Sequence, residues 1–72
     1  MFVTVNGEST AMRDGCTVAE LLVQLQIKRE SVAVEVNLDI VPKAAYDSLA
    51  LQTGDKIEIV QFVGGGQLFQ FQ

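Results

Sequence analysis

The segment Lys56-Ile57-Glu58-Ile59-Val60-Gln61-Phe62-Val63, followed directly by Gly64-Gly65-Gly66, decides the fold expected for this chain. Its alternating pattern predicts a final β-strand in which Ile57 and Ile59 face the protein core. Glycine has no Cβ and is unfavourable inside strands and helices, so the strand should end at Val63. The other face of the strand would carry the three residues Glu58, Val60 and Phe62.

The glycine run at 64–66 has two chemical uses to compare: cradling a phosphate, or threading a narrow enzyme channel. A phosphate loop should open a helix and usually carries a Lys or Ser/Thr partner. Here only Gln67-Leu68-Phe69-Gln70-Phe71-Gln72 follows, and we expect no helix there. The pattern therefore favours a thin tail that enters a channel. A phosphate loop and a tail without function are the less favoured interpretations.

The beginning of the chain predicts a β-hairpin. Phe2-Val3-Thr4-Val5 alternates apolar and polar residues, and Asn6-Gly7 is a strong turn signal because both turn positions require positive φ. A second short strand should run from Glu8 to about Met12, and Asp14-Gly15 should end it.

A helix should follow the hairpin. Thr17 and Glu20 have the spacing of a capping box, in which each side chain bonds the backbone N–H of the other residue. The helix should end near Gln26. Its buried stripe would consist of residues at i, i+3, i+4 and i+7, namely Val18, Leu21, Leu22 and Leu25.

The middle of the chain predicts a second pair of strands. Val32-Ala33-Val34-Glu35-Val36 is β-branched at every other position, so Val32, Val34 and Val36 should face the helix. Asn37-Leu38-Asp39 should turn the chain into a short strand at Ile40-Val41. Residues 43–48 should form a loop or a single helical turn. The return to the last strand would be anchored by Leu49 and Leu51.

The economical arrangement of these elements is an α+β domain with one main helix packed across one face of a mixed sheet of four to five strands. With the first and last strands central and parallel, this is the β-grasp, or ubiquitin-like, fold. We expect a β-grasp domain at residues 1–63, a flexible glycine tail at 64–66, and a C-terminal extension at 67–72 that is disordered or removed.

Composition narrows the range of functions. The net charge of −4 argues against nucleic acid and anionic membranes as partners and favours a basic protein surface. Histidine is absent and there is a single cysteine, so we expect no zinc site. We also expect no other bound metal and no cofactor. No basic and apolar leader precedes the first strand, and no apolar run approaches the ~20 residues that span a bilayer. The cytoplasm is the expected compartment.

An enzymatic function lacks support in the sequence, because we find no nucleophile–base pair, metal ligands or pocket. The single Cys16 precludes an intramolecular disulfide, and a structural role is favoured over a redox or sulfur-transfer role. We therefore expect no catalytic residues. Val60, Phe62 and Glu58, beside the glycine tail, are instead the candidate docking surface for a partner.

Five motifs together resemble the ThiS family of sulfur carriers of thiamin biosynthesis. They cover residues 1–66, essentially the whole predicted fold, in the right order, and only their combination is specific. The motifs are Val-Asn-Gly-Glu at 5–8, Asp-Gly-Cys-Thr-Val at 14–18, Val-Ala-Val-Glu-Val-Asn at 32–37, Ile-Val-Pro at 40–42, and Gly-Asp-Lys-Ile-Glu-Ile-Val-Gln-Phe-Val-Gly-Gly-Gly at 54–66.

The resemblance implies a protein that is a substrate rather than a catalyst. In the family, the carboxylate of the last glycine, which maps onto Gly66, is adenylated by a ThiF-type enzyme that uses ATP. A cysteine persulfide donates sulfur to form a thiocarboxylate, and a ThiG-type thiazole synthase takes that sulfur. Gly64 and Gly65 would thread into these enzymes with Gly66.

The chain departs from the family pattern after Gly66, where family members usually stop. Here six residues follow, so Gly66 has no free carboxylate. Removal of Gln67–Gln72 by a protease and an extension introduced with the expression vector are the favoured explanations. A third explanation is that this chain no longer carries sulfur.

Three functions remain open. The first is a ThiS-type carrier; the second is a MoaD-like or transfer-RNA-thiolating carrier of the same fold. Phe-Val-Gly-Gly-Gly at 62–66 and the block at 32–37 favour the first. The third, of another class, is a β-grasp interaction module without sulfur chemistry.

Overall fold

The computed structural model describes residues 1–63 and 67–70. Within them the chain forms, in order, β1 (Phe2–Val5), β2 (Glu8–Ala11), α1 (Val18–Gln24), β3 (Val32–Val36), β4 (Asp39–Val41), β5 (Lys56–Val63) and β6 (Gln67–Gln70). Short 3-10 turns at Arg29–Ser31 and Lys43–Ala45 lie before β3 and after β4.

The strands form one mixed sheet in the order β2-β1-β5-β3-β4, with β6 paired to β5 beside this path. β1 and β5 are parallel and meet at Thr4 and Lys56, whereas the other neighbours are antiparallel. The predicted α+β architecture is confirmed, with one helix and with the first and last predicted strands parallel neighbours. β5, the last of these strands in sequence, lies in the middle of the sheet.

Local chemistry sets the two ends of the helix. Thr17 Oγ1 accepts from the backbone N–H of Glu20, and the Glu20 carboxylate accepts from the backbone N–H of Thr17, which confirms the capping box. At the other end Gln26 adopts a left-handed φ of 60°, and the backbone N–H of Ile27 donates to Leu22 O at 2.9 Å. This pattern is a Schellman motif, which satisfies the last helical carbonyls.

The core lies between α1 and the inner face of the sheet. Ile57 and Ile59 of β5 are both fully buried, as their alternation predicted. They pack in a cluster with the buried side chains of the helix and the other strands. The remaining members are Val3, Met12, Cys16, Val18, Leu21, Leu22, Val32, Val34, Val41, Tyr46 and Leu51.

The return from β4 to β5 is anchored differently from the prediction. Leu51 is buried, but Leu49 is 38% exposed, so its predicted anchoring role is wrong. Tyr46 anchors the segment instead, with 1% of its surface exposed. The Arg29 guanidinium lies 5.3 Å from the Tyr46 ring centroid and bonds Asp47 Oδ1 at 3.0 Å. Tyr46 bonds both neighbouring elements: its hydroxyl donates to Val32 O of β3 at 3.5 Å, and its backbone carbonyl accepts from the Ala19 N–H of α1 at 2.8 Å.

The extension after the glycines was expected to be disordered or removed. Gln67–Gln70 instead forms β6, antiparallel to β5, with Phe62 opposite Leu68 and Val63 opposite Gln67. Its removal in the cell stays a prediction.

Candidate functional site

The candidate site is the C-terminal half of β5, from which the glycine segment continues. β5 is hydrogen-bonded within the sheet and carries two buried isoleucines, so it fixes the place where the chain leaves the core. The predicted sulfur-carrying and threading residues Gly64, Gly65 and Gly66 lie outside the described residues.

The predicted docking residues lie on the outer face of β5, away from the helix. Phe62 is 43% exposed, while Val60 and Glu58 are half-buried. Across the sheet, Val60 is opposite Ala33 and Glu58 is opposite Glu35. The structure therefore places the three residues on one face along β5, as their alternation predicted. Their role in docking stays a prediction.

Lys43 is a neighbour of this surface that the sequence did not indicate. Its Nζ lies 5.5 Å from the centroid of the Phe62 ring and donates a hydrogen bond to Glu30 O at 2.9 Å. A cation over an aromatic face is attracted by the ring quadrupole. Lys43 therefore restrains the Phe62 ring. It also adds a positive charge beside Phe62 in a chain whose net charge is −4. No sequence pattern links residues 43 and 62, because the contact depends on how β4 and β5 are positioned.

Asn6 is a second residue near this surface whose role the sequence did not fully indicate, because its pattern predicts only a turn. Its φ of 47° and the φ of 85° at Gly7 confirm the predicted turn. Its side chain also reaches β5, where Oδ1 accepts from the backbone N–H of Ile59 at 2.8 Å and Nδ2 donates to Ile59 O at 3.1 Å. The turn residue thus fixes β5 at Ile59, between the candidate docking residues Glu58 and Val60.

A groove of about 430 Å³ lies on the helix side of the sheet, next to the same half of β5. Leu25, Ile27 and Ile59 contribute apolar wall, while Gln61 and Lys28 contribute polar groups. Three separate segments of the chain form it, which is why sequence periodicity did not reveal it.

Cys16 is packed in the core, with 2% of its surface exposed. Burial, reinforced by the negative charge of Glu20, raises the pKa of its thiol, although Arg13 opposes this effect. The Sγ–H donates to Thr17 O at 3.2 Å. The geometry is that of a neutral, packed thiol rather than of a reactive thiolate.

The part of the chain that the structure describes, residues 1–63 and 67–70, contains no group of three or more His, Cys, Asp or Glu able to hold a metal ion. It also contains no helix long and apolar enough to cross a membrane.

The family model for the ThiS family matches residues 3–66. The sulfur carrier protein ThiS of Bacillus subtilis is 40% identical over 63 residues, which are 86% of this chain and 96% of that protein. A thiazole synthase of Paramagnetospirillum magneticum is 47% identical over 66 residues, or 92% of this chain. The chain spans only a fifth, 20%, of that relative's length.

A solved structure matches the fold closely. The crystal structure of the thiamine biosynthesis protein ThiS from Geobacter metallireducens superposes with a TM-score of 0.80 at 35% sequence identity. The match covers 92% of this chain and all, 100%, of that one. The β-grasp architecture expected from the sequence is thereby confirmed.

Proposed function

Because the chain belongs to the ThiS family, we propose that it is a sulfur carrier protein of thiamin biosynthesis and that Gly66 carries the sulfur. The observation that supports this most directly is the position of β5. A strand in the middle of the sheet, anchored by the buried Ile57 and Ile59, ends at Val63, immediately before three glycines, and the family match runs to residue 66. A rigid domain followed by residues without side chains suits a carrier whose terminus must enter another protein's active site.

The proposed chemistry takes place on the Gly66 carboxylate. In a ThiF-type enzyme the carboxylate attacks the α-phosphate of ATP, displacing pyrophosphate and forming an acyl-adenylate. The terminal sulfur of a cysteine persulfide then displaces AMP and forms an acyl disulfide. A thiol reduces that disulfide, releasing the thiocarboxylate as a new disulfide forms. The carrier contributes the reacting carboxylate and its delivery, while the partner enzymes contribute the catalytic groups.

Charging requires a free carboxylate, and Gly66 is followed by Gln67 in this chain. We infer that a processing protease hydrolyses this peptide bond. Addition of water leaves the carboxylate on Gly66 and a free amino group on Gln67. Residues 64–66 can then enter a partner's channel: fully extended, three residues span at most about 11 Å.

A ThiG-type thiazole synthase is the proposed acceptor of the sulfur. Support comes from the relative named thiazole synthase, because a fifth of that relative's length, 20%, resembles this protein. The docking surface proposed for the activating and accepting enzymes is formed by Glu58, Val60 and Phe62, where an apolar centre lies beside the emerging tail.

The deciding experiment is a reconstitution followed by intact mass spectrometry. The chain ending at Gly66 is incubated with a ThiF-type enzyme, ATP, a persulfide donor and a thiol that reduces the acyl disulfide. We expect a product heavier by the exchange of one oxygen for one sulfur. The chain with residues 67–72 attached is the matched control and should remain unmodified.

Failure of the shortened chain to react would contradict the proposal and favour a β-grasp interaction module. Transfer of the sulfur to a molybdopterin precursor or a transfer RNA, rather than to the thiazole, would instead favour a MoaD-like or transfer-RNA-thiolating carrier.

A further inference from the structure

The two edges of β5 are paired to different extents along its length. On one edge, β3 pairs with β5 from Gln61 back to Ile57. On the other edge, β1 pairs only at Lys56 and Ile57. The second edge is therefore left open by the main sheet over the half of β5 nearest the glycines.

Asn6 extends the pairing of this second edge by one step. Its backbone N–H donates to Ile57 O at 2.9 Å, and its side-chain amide then bonds both backbone groups of Ile59. Backbone groups of a strand point to alternate edges, so Gln61 and Val63 present theirs to this same edge. The side-chain amide of Asn6 thus ends the pairing by the hairpin just before Gln61.

β6 fills the part of the edge that Asn6 leaves open. Its register sets Gln61 opposite Phe69 and Val63 opposite Gln67. Since β3 already pairs with Val60 and Gln61 on the other edge, β6 lies on the Asn6 edge. The backbone groups of Phe69 and Gln67 therefore face β5, while those of Leu68 point outward.

We propose that β6 of the unprocessed chain is an intramolecular mask, which pairs with the Gln61–Val63 edge of β5 and must unpair or be cut off before the adenylating partner enzyme can bind the tail. This inference rests on the proposed sulfur-carrier function. β5 and β6 run antiparallel and are joined by only three residues. While Val63 stays opposite Gln67, Gln67 is held beside the end of β5 and cannot also lie outward along the axis of that strand.

The mask is short enough to be reversible. β6 has four residues, carries no charged side chain, and contacts the sheet through one edge of β5. Short strand pairs of this size are marginal in water. The masked and unmasked forms can therefore exchange, and binding to the partner is weakened by the fraction of chains that are masked.

Proline substitutions test whether the pairing of β6 with β5, rather than the mere presence of residues 67–72, causes the effect. Proline lacks the backbone N–H, so Phe69→Pro removes a donor that faces β5. Leu68→Pro is the matched control, because it puts the same ring into the same strand at an N–H that points outward. Hydrogen exchange on the full chain should show protected amides at Gln61 and Val63. Protection there should fall at least about tenfold in Phe69→Pro, and much less in Leu68→Pro.

The functional arm measures binding of a ThiF-type adenylating enzyme by calorimetry. The chain ending at Gly66 and the Phe69→Pro chain should both bind about tenfold or more tightly than the full chain, and Leu68→Pro should bind like the full chain. Equal affinity of the full and shortened chains would overturn the mask. If the shortened chain binds no adenylating enzyme, the sulfur-carrier function itself fails and the mask has no partner to exclude.

Discussion

Glu20 holds Arg13 and Thr17 together: both of its carboxylate oxygens lie 2.7 Å from Arg13 Nη2, and Oε1 also accepts from the Thr17 backbone N–H at 2.9 Å. One side chain thereby joins the end of the first hairpin to the beginning of α1. The helix has only seven residues, so its stability depends on its cap and on its packing rather than on its length.

Replacing the cap residue should destabilise the whole domain. In Thr17→Ala, the backbone N–H of Glu20 loses its acceptor, and we expect the free energy of unfolding to fall by about 1 kcal/mol. Urea denaturation monitored by circular dichroism measures this. Thr53→Ala, in an exposed turn, is the control and should change stability by less than about 0.5 kcal/mol. Equal losses in the two variants would contradict the role of the cap.

Stability should decrease in acid through two exposed carboxylates. The hydrogen bond from the Thr17 backbone lowers the pKa of Glu20, and the hydrogen bond from Arg29 lowers the pKa of Asp47. Because both folded-state pKa values lie below their unfolded values, the stabilisation is present at neutral pH. It is lost as pH falls below the ordinary values of 4.5 and 3.8.

Urea midpoints measured between neutral pH and about pH 3 test this pH dependence. The double variant Glu20→Gln, Asp47→Asn should start less stable at neutral pH and lose less stability on acidification. An unchanged acid slope in the double variant would assign the pH dependence to other groups.

Asn6 should contribute more than an ordinary turn residue. Asn6→Gly keeps the left-handed backbone accessible but removes both bonds to Ile59, leaving that backbone N–H without its acceptor. We expect a loss of about 1–3 kcal/mol in the free energy of unfolding, and faster hydrogen exchange at Ile59. Asn6→Asp keeps the acceptor oxygen and should lose less. If the two variants are equally stable, the bonds to Ile59 add nothing.

The turn between β3 and β4 holds an exposed leucine in an unfavourable backbone conformation. Leu38 has a φ of 75° and is 87% exposed, and it follows Asn37 in a two-residue connection that prefers glycine at this place. Leu38→Gly should therefore raise the free energy of unfolding by up to about 1 kcal/mol. Leu38→Ala keeps the Cβ and should not reproduce the gain. A less stable glycine variant would contradict the argument.

Phe62 should matter for partner binding rather than for folding. Its ring is partly exposed at the end of β5, and Phe62→Ala in the chain ending at Gly66 should weaken binding to a ThiF-type enzyme by more than about 1 kcal/mol. Phe2→Ala is the control, because Phe2 is also exposed, at 60%, but lies on β1 away from this end of β5. Calorimetry with unchanged affinity in Phe62→Ala would remove it from the docking surface.

Local chemistry explains what the sequence could predict. Asn6-Gly7 forms the turn that its φ preferences require, and Thr17 with Glu20 forms the cap that their spacing requires. Ile57 and Ile59 face inward because a strand alternates. The same alternation placed Val60 and Phe62 on the outer face.

Contacts between distant segments explain what the sequence could not predict. The bonds between Asn6 and Ile59 join residues 53 positions apart, and the Lys43 contact with Phe62 depends on the relative placement of two strands. Tyr46 replaced Leu49 as an anchor because three-dimensional packing, not hydropathy, decides which side chain fills a space. β6 was missed because a segment that follows three glycines has no periodic pattern long enough to test.

The central place of β5 also determines how the protein responds to mechanical tension. A partner that draws the glycine segment inward pulls along the axis of a strand flanked by β1 and β3. The load is then shared among many hydrogen bonds in shear and is resisted by the buried Ile57 and Ile59, rather than peeling one edge bond after another. In a chain that still carries residues 67–72, β6 is held at one edge of β5 only and separates first under the same pull, so the protein can release its last strand while the domain stays folded.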